Sequence, residues 1–242
     1  MNISIIIPAY NEAERIAPTL RAFHHYLETK KISFEIIVSD DGSSDSTVKL
    51  VHSMQKEIPQ LRILIASQNK GKGHAVRMGM LHARGKIRIF SDADGSTPVE
   101  ELEKLLPPLL KNKADVSIGS RYLGNSEIVH AQSFLRRKWS RVANRVVQKI
   151  LLPGIVDPHC GFKAFTETAS QEIFSRCTVD GWSFDLEALA LAKKLNFRMA
   201  EVPVKWANDE RSKGKISHLP KEIYNVWKIK KEITKTLTAK IS

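Results

Sequence analysis

Five short apolar runs, rich in β-branched residues, mark the first half of the chain: Ile3–Ile7, Phe34–Ser39, Leu61–Ala66, Ile87–Ser91 and Asp115–Ile118. Their apolar positions are nearly continuous, the pattern of strands buried on both faces. Between them, segments near 12–28, 45–57, 73–84 and 98–110 carry helical spacing. This alternation predicts βαβ units with right-handed crossovers, hence an α/β fold with a mostly parallel central sheet. The second half is less regular. It predicts a helix near 133–150, a turn at Pro153-Gly154, a loop over Asp157–Phe162 and a helix near 184–195. A strand near 198–204, a polar loop over 207–217 and a final helix from about 219 complete the pattern. With no repeat or linker between them, these elements form one domain over 1–218, followed by an amphipathic helix over 219–242.

In such a sheet, ligands bind beyond the carboxyl ends of the strands. The first four strand ends lead into Pro8-Ala9-Tyr10-Asn11-Glu12, Asp40-Asp41-Gly42-Ser43-Ser44-Asp45, Gln68-Asn69-Lys70-Gly71-Lys72-Gly73 and Asp92-Ala93-Asp94-Gly95. Turns alone use Asp, Asn and Gly. Acids, amides and lysines at four neighbouring strand ends point to a ligand crevice.

Asp92-Ala93-Asp94 carries the sharpest chemistry. It follows a buried strand and precedes Thr97-Pro98-Val99-Glu100, which has the form of a capping box with Pro at the first helical position. Two carboxylates on so short a turn can hold Mg²⁺ or Mn²⁺ through hard oxygen ligands, and the ion can bridge a diphosphate. Asp40-Asp41 suits recognition of a base and ribose, or else caps the following helix. Gly71-Lys72-Gly73 resembles a phosphate cradle but is not a P-loop, and Lys72 either approaches a diphosphate or is solvated. Arg121, in Gly119-Ser120-Arg121 after the fifth strand, could clamp a phosphate. Arg211, Lys213 and Lys215 are further phosphate-binding candidates, or simply a basic loop. Asp185 and Glu187, on a helix-forming stretch after Trp182, are two further candidate polar contacts, or else acids that merely suit a helix N-terminus.

Composition narrows the class. The chain has 242 residues, 42% hydrophobic and 26% charged, which excludes a disordered or collagen-like protein. Cys160 and Cys177 are too few for a disulfide framework, and no apolar run reaches the roughly 18 residues of a spanning helix. No signal peptide is read at the N-terminus, so a reducing, cytoplasmic setting is expected. The net charge is +12, and its excess is local. Residues 130–149 carry six basic and no acidic residues, and 213–242 carry eight lysines against two glutamates. On a helical wheel Leu135, Trp139, Val142, Val146 and Ile150 share an arc of roughly 80°, with Arg137 and Arg141 opposite and Lys138, Arg145 and Lys149 along its flank. Leu219, Ile223, Val226, Trp227, Ile233, Leu237 and Ile241 share roughly 120°, opposite Lys221, Lys228, Lys231 and Lys235. Such helices either lie in an anionic membrane interface or pack on the sheet with a solvated basic face.

Taken jointly, Pro8–Glu12, Asp40–Asp45, Asn69–Gly79 and Asp92–Asp94 resemble the inverting family 2 glycosyltransferases of the nucleotide-sugar-binding GT-A fold. Gly119-Ser120-Arg121, Asp157–Lys163, Trp182–Glu187 and Glu201–Trp206 resemble their polyprenyl-phosphate group. Asp92–Thr97 and Cys160–Lys163 look more like the dolichyl-phosphate β-glucosyltransferases than the mannosyl ones. The resemblance implies transfer of a hexose, glucose from UDP-glucose, to a dolichyl or undecaprenyl phosphate. It implies that Pro8, Tyr10, Glu12, Asp40 and Asp41 bind the nucleotide, with Lys72 and Asp92 on the donor diphosphate. Asp92 and Asp94 would hold the metal. Arg121 and Arg211, with Arg136, Arg137 and Lys213, would face the acceptor phosphate or the diphosphate.

Two departures stand out. The mannosyl relatives carry Gln where this chain has Ser96, leaving the third metal ligand open. Many relatives also carry transmembrane helices after the catalytic domain. Here membrane contact falls to the amphipathic helices or to a membrane-protein partner, on the cytoplasmic face. Two alternatives remain at this level. A family 2 enzyme with a soluble saccharide or protein acceptor would need a base, for which Asp185 is the candidate. A nucleic-acid-binding module would use the +12 charge, but no nucleic-acid motif is present and the acidic Asp92–Asp94 edge opposes it.

Overall fold

A computed structural model describes residues 2–130, 147–207 and 226–233. The strands are β1 (Asn2–Ala9), β2 (Ser33–Asp40), β3 (Leu61–Ile65), β4 (Ile87–Ser91), β5 (Val116–Ser120), β6 (Glu127–His130), β7 (Phe162–Thr166), β8 (Met199–Pro203) and β9 (Lys205–Ala207). The helices are α1 (Ile16–Thr29), α2 (Thr47–Met54), α3 (Lys72–His82), α4 (Leu102–Leu105), α5 (Pro107–Leu110), α6 (Glu167–Phe174) and α7 (Phe184–Lys194). Seven strands form one sheet in the order β3-β2-β1-β4-β7-β5-β8, and β6 pairs with β9 in a separate two-stranded ribbon. All pairs in the large sheet are parallel except those of β7, which runs antiparallel to β4 and β5.

The continuous apolar runs are explained by burial on both faces. Ile3, Ile5 and Ile7 of β1 pack with Ile16, Leu20, Phe23 and Leu27 of α1. Ile6 faces the opposite layer, with Val76 and Met80 of α3. The polar exception in β1 is Ser4, which donates to Glu35 Oε1 at 2.6 Å and accepts from the Gly85 N–H at 2.8 Å. A buried polar group is tolerated when bonded in this way.

Several expectations change. The strand β7 has no counterpart in the sequence pattern, which ran a loop up to Phe162. Lys163, its second residue, disguises a buried strand, because its charge is met internally. Helix α6 was likewise missed, although Thr166 caps it by accepting from the Ala169 N–H at 3.3 Å. The expected helix over 98–110 is a 3₁₀ turn at Val99–Glu101 followed by two single-turn helices meeting at Leu106. The 3₁₀ turn starts from Pro98 without a side-chain cap, so the capping box at Thr97 does not form.

Most of the expected basic helix near 133–150 and the loop beyond Ala207 lie outside the described residues. Of the final helix, 226–233 is described. Val226 and Ile229 are buried in the second core layer, with Ile233 packed against it. Trp227 is 59% exposed, and Lys231 Nζ lies 5.2 Å from its ring centroid. The wheel had grouped Trp227 with the packing face, and the structure turns it outward among the lysines. Among the described residues no helix is long and apolar enough to cross a membrane.

Candidate active site

The ends of β1, β2, β3 and β4 meet at one edge of the sheet around a cavity of about 340 Å³. β1 contributes Pro8 and Ala9 and leads to Tyr10, Glu12 and Arg15; β2 leads to Asp41. The segment after β3 gives Asn69, Gly71 and Lys72, and β4 gives Asp92, Ala93 and Asp94. Trp182 reaches in from the turn before α7 and is 62% exposed.

The loops are tied to one another before any ligand is considered. Asn11, at φ 54°, turns its amide oxygen to accept from the Ser44 and Asp45 N–H groups at 2.9 and 3.2 Å. Glu12 N–H donates to Thr47 Oγ1 at 2.8 Å. Asp41, 2% exposed, accepts from the Gly71 N–H at 2.6 Å and from the Lys70 N–H at 3.1 Å, with His74 Nδ1 at 3.2 Å. Asp40 is fully buried and accepts from the Ser43 N–H at 2.9 Å. Asp41 therefore lines the cavity, whereas Asp40 shapes the turn beneath it.

The electrostatic centre is Lys72 with the two acids. Lys72 Nζ lies 2.5 Å from Asp92 Oδ1 and 5.3 Å from the Trp182 ring centroid. Burial would lower the Lys72 pKa, but Asp92, Asp185 and Asp94 together raise it above its ordinary value. Asp94 accepts from the Ser96 N–H at 3.0 Å and sits 3.9 Å from Arg15, which also pairs with Glu12. Burial, and then the like charge of Asp92, push the Asp94 carboxyl above its ordinary value. Paired acids held in this way favour a cation between them. Among the described residues no group of three or more His, Cys, Asp or Glu side chains forms a metal cage. Two carboxylates on the wall of an open cavity instead match the way Mg²⁺ binds, with one or two acids completed by phosphate oxygens and water.

Two residues expected at the chemistry do not line this cavity. Arg121 does not line the cavity: its Nε and Nη2 donate to Asp157 at 2.7 and 2.8 Å, and its N–H donates at 2.9 Å. Its guanidinium lies 5.4 and 5.3 Å from the ring centroids of Tyr122 and Trp206. Asp185 is buried and accepts from Lys163 Nζ at 2.8 Å. Its neighbour Glu187 accepts from Thr178 N–H and Oγ1 and from the Val179 N–H, at 2.8 to 3.0 Å. Arg136, Arg137, Arg211 and Lys213 lie outside the described residues. Arg15 was not singled out from the sequence, although it follows Glu12 by one helical turn. Trp182 was noted only as part of a motif, because a lone Trp gives no sign of its exposure.

A parallel-sheet edge that gathers paired carboxylates, a lysine and an exposed aromatic around one cavity is an arrangement suited to an enzyme site. Residues 4–174 match the model of Glycosyl transferase family 2, and the chain belongs to that family. It is a glycosyltransferase, and both the GT-A fold and the family read from the motifs hold. The dolichyl-phosphate beta-glucosyltransferase of Dictyostelium discoideum is 40% identical over 222 residues, 87% of this chain and 68% of that protein. The Drosophila melanogaster protein of the same name is 37% identical over 225 residues, 88% and 69% of the two chains. Among solved structures, glucosyl-3-phosphoglycerate synthase from Mycobacterium tuberculosis, in complex with Mn²⁺, UDP and glucosyl-3-phosphoglycerate, superposes with a TM-score of 0.70. It covers 94% of this chain and 78% of its own at 19% identity, which marks a shared fold.

Proposed function

We propose that this enzyme transfers glucose from UDP-glucose to a polyprenyl phosphate, dolichyl or undecaprenyl, with inversion at the anomeric carbon. The observation that carries this is the Asp92-Ala93-Asp94 turn on the cavity wall, in a chain 40% identical to a dolichyl-phosphate beta-glucosyltransferase. Pro8, Tyr10, Glu12 and Asp41 line the region assigned to the nucleotide, with Asp40 supporting Asp41 from behind. Lys72 is assigned to the diphosphate. Asp92 and Asp94 would hold a divalent cation, Mg²⁺ or Mn²⁺. When bound, that cation neutralises charge on the departing nucleoside diphosphate.

The acceptor explains why no base is needed. A phosphate monoester has a second pKa of about 6 and is largely dianionic at neutral pH. It is already a nucleophile, so the protein's work is positioning and charge stabilisation. Asp185, ion-paired in the interior, fits a chemistry without a general base. Arg136, Arg137, Arg211 and Lys213 are assigned to the acceptor phosphate, with Arg121 ordering the neighbouring loops through Asp157. A single displacement on an α-linked donor gives a β-linked lipid phosphosugar. The basic segments, with outward-facing Trp227, favour peripheral binding to an anionic membrane on its cytoplasmic face, alone or beside a membrane-protein partner.

The test is a donor panel. The protein is incubated with Mg²⁺ or Mn²⁺, a short polyprenyl phosphate, and UDP-glucose, UDP-galactose, UDP-N-acetylglucosamine or GDP-mannose. Metal-dependent lipid-linked glucose from UDP-glucose, abolished in Asp94→Asn, is expected. Donor hydrolysis without lipid product would reject the lipid acceptor. Lipid product from another donor would reject the glucose assignment.

A further inference from the structure

Lys72 already occupies the place of a cation. Its ammonium contacts Asp92 at 2.5 Å under the rings of Trp182 and Phe184, at 5.3 and 6.0 Å, and its side chain is 18% exposed. The backbone that carries it is locked. Gly71 adopts φ +120°, and a Cβ there would meet the Asp180 carbonyl oxygen at 2.4 Å. A Cβ on Gly73 would meet the Val179 carbonyl oxygen at 2.3 Å. Gly73 N–H donates to Asp180 O at 2.7 Å, and Arg77 pairs with Asp180 at 2.6 Å. Lys72 can therefore leave Asp92 only by rotation of its own side chain.

A divalent cation bound by Asp92 and Asp94 competes with Lys72 for the charge of the Asp92 carboxylate, whose Oδ1 the ammonium holds. The displaced ammonium would then face a dication without an anion of its own. Asp185 also acts on Lys72 but is held by Lys163 at 2.8 Å. A nucleoside diphosphate supplies the missing anion. We propose that Lys72 is a resident counter-ion that couples metal to donor, with the Lys72–Asp92 pair opposing metal until a diphosphate accepts the ammonium. This deepens the function proposed above and rests on Asp92 and Asp94 as the metal site.

Coupling of this kind is reciprocal: UDP tightens the metal by the factor by which the metal tightens UDP. The experiment measures Mn²⁺ binding to the whole protein by the electron-spin signal of free Mn²⁺, with and without UDP. Wild type is compared with Lys72→Met and Lys72→Gln, with melting temperatures confirming that each folds. Removing the lysine is expected to tighten Mn²⁺ alone by about 10-fold and to reduce the UDP-induced gain by a similar factor, within the usual range of such couplings. Unchanged or weaker Mn²⁺ binding in both variants overturns the proposal. Tighter binding with an unchanged UDP gain also overturns it, since that is a bare charge effect. Asp94→Asn separates the two levels. If it leaves Mn²⁺ binding intact in the presence of UDP, the metal site itself is wrong.

Discussion

Gly161 leaves the space that the Asp92 carboxylate fills. A Cβ at Gly161 would stand 2.0 Å from Asp92 Oδ2, while the Gly161 carbonyl accepts the Asp92 N–H at 3.2 Å. The turn entering β7 thus sets both the backbone and the side chain of the first acid of the pair. Gly161→Ala is expected to swing Asp92 out of place while the fold survives. A displacement of about 1 Å can lower rate about 10²-fold, so kcat/KM should fall at least that far, with a melting temperature near that of wild type. Activity within a few-fold of wild type, measured on the same preparation, would show that the Asp92 position is not critical.

The Arg121–Asp157 pair predicts a stability effect with a pH signature. Asp157 is fully buried, and the Val156 and Asp157 N–H groups are themselves held by Glu201 at 2.8 and 2.9 Å. Burial alone would raise the Asp157 pKa, but the charge and hydrogen bonds of Arg121 outweigh it and hold the carboxyl below its ordinary value. A depressed acid stabilises the fold above its unfolded pKa of about 3.9, and that contribution is lost as pH falls through the folded value. Arg121→Met leaves Asp157 buried and unpaired, and should destabilise by about 3–5 kcal/mol at neutral pH. Urea unfolding across pH should show the gap between wild type and variant closing in acid. A variant as stable as wild type but inactive would return Arg121 to a direct role.

The sheet was legible because strands buried on both faces leave continuous apolar runs, as Ile3–Ile7 does. The acids of the cavity wall were legible because Asp92 and Asp94 follow directly on such a run, whereas Lys72 opens α3, seven residues beyond β3. β7 was not, because Lys163 interrupts it and its partner Asp185 is 22 residues away. Arg121 and Asp185 show the same cause in reverse. A charge at a strand end or in the first turn of a helix looks the same in sequence whether it faces a ligand or a buried counter-ion. Distance in the chain hides the partner that decides between them. The 3₁₀ turn after Pro98 shows a local signal overruled by the backbone, since Pro98 stands outside the turn it was expected to begin.

Trp182 is predicted to serve the ligand rather than the fold. It is exposed at the cavity mouth, on a turn fixed by the Asp180 contacts to Gly73 and Arg77. Ring stacking and the Lys72 contact together are worth about 1–2 kcal/mol, which is about 10-fold in kcat/KM. Trp182→Ala should show that loss with no change in melting temperature, and Trp182→Phe should recover most of it. An equal loss of stability in the alanine variant would mean that the ring is structural.

The buried pair of Lys163 and Asp185 separates a counter-ion from a base. Lys163 Nζ donates to Asp185 Oδ1 at 2.8 Å and to the Cys160 carbonyl at 2.5 Å, above the Phe90 ring at 5.1 Å. Burial holds the Asp185 carboxyl above its ordinary value, against the opposing charges of Lys163 and Lys72. Asp185→Asn strands the Lys163 charge and should destabilise by about 3–5 kcal/mol. Replacing both residues, Lys163→Met with Asp185→Leu, should restore most of that loss, because a buried pair can be exchanged for apolar groups at little net cost. Removal of a general base would instead lower the rate by about 10²–10⁴-fold whatever happened to Lys163. The deciding comparison is kcat per folded molecule in the single and double variants, below their melting transitions. A small loss in both fits a counter-ion that holds β7 against α7. A loss of 10²-fold or more in both, at unchanged stability, would make Asp185 the base and reopen a hydroxyl acceptor.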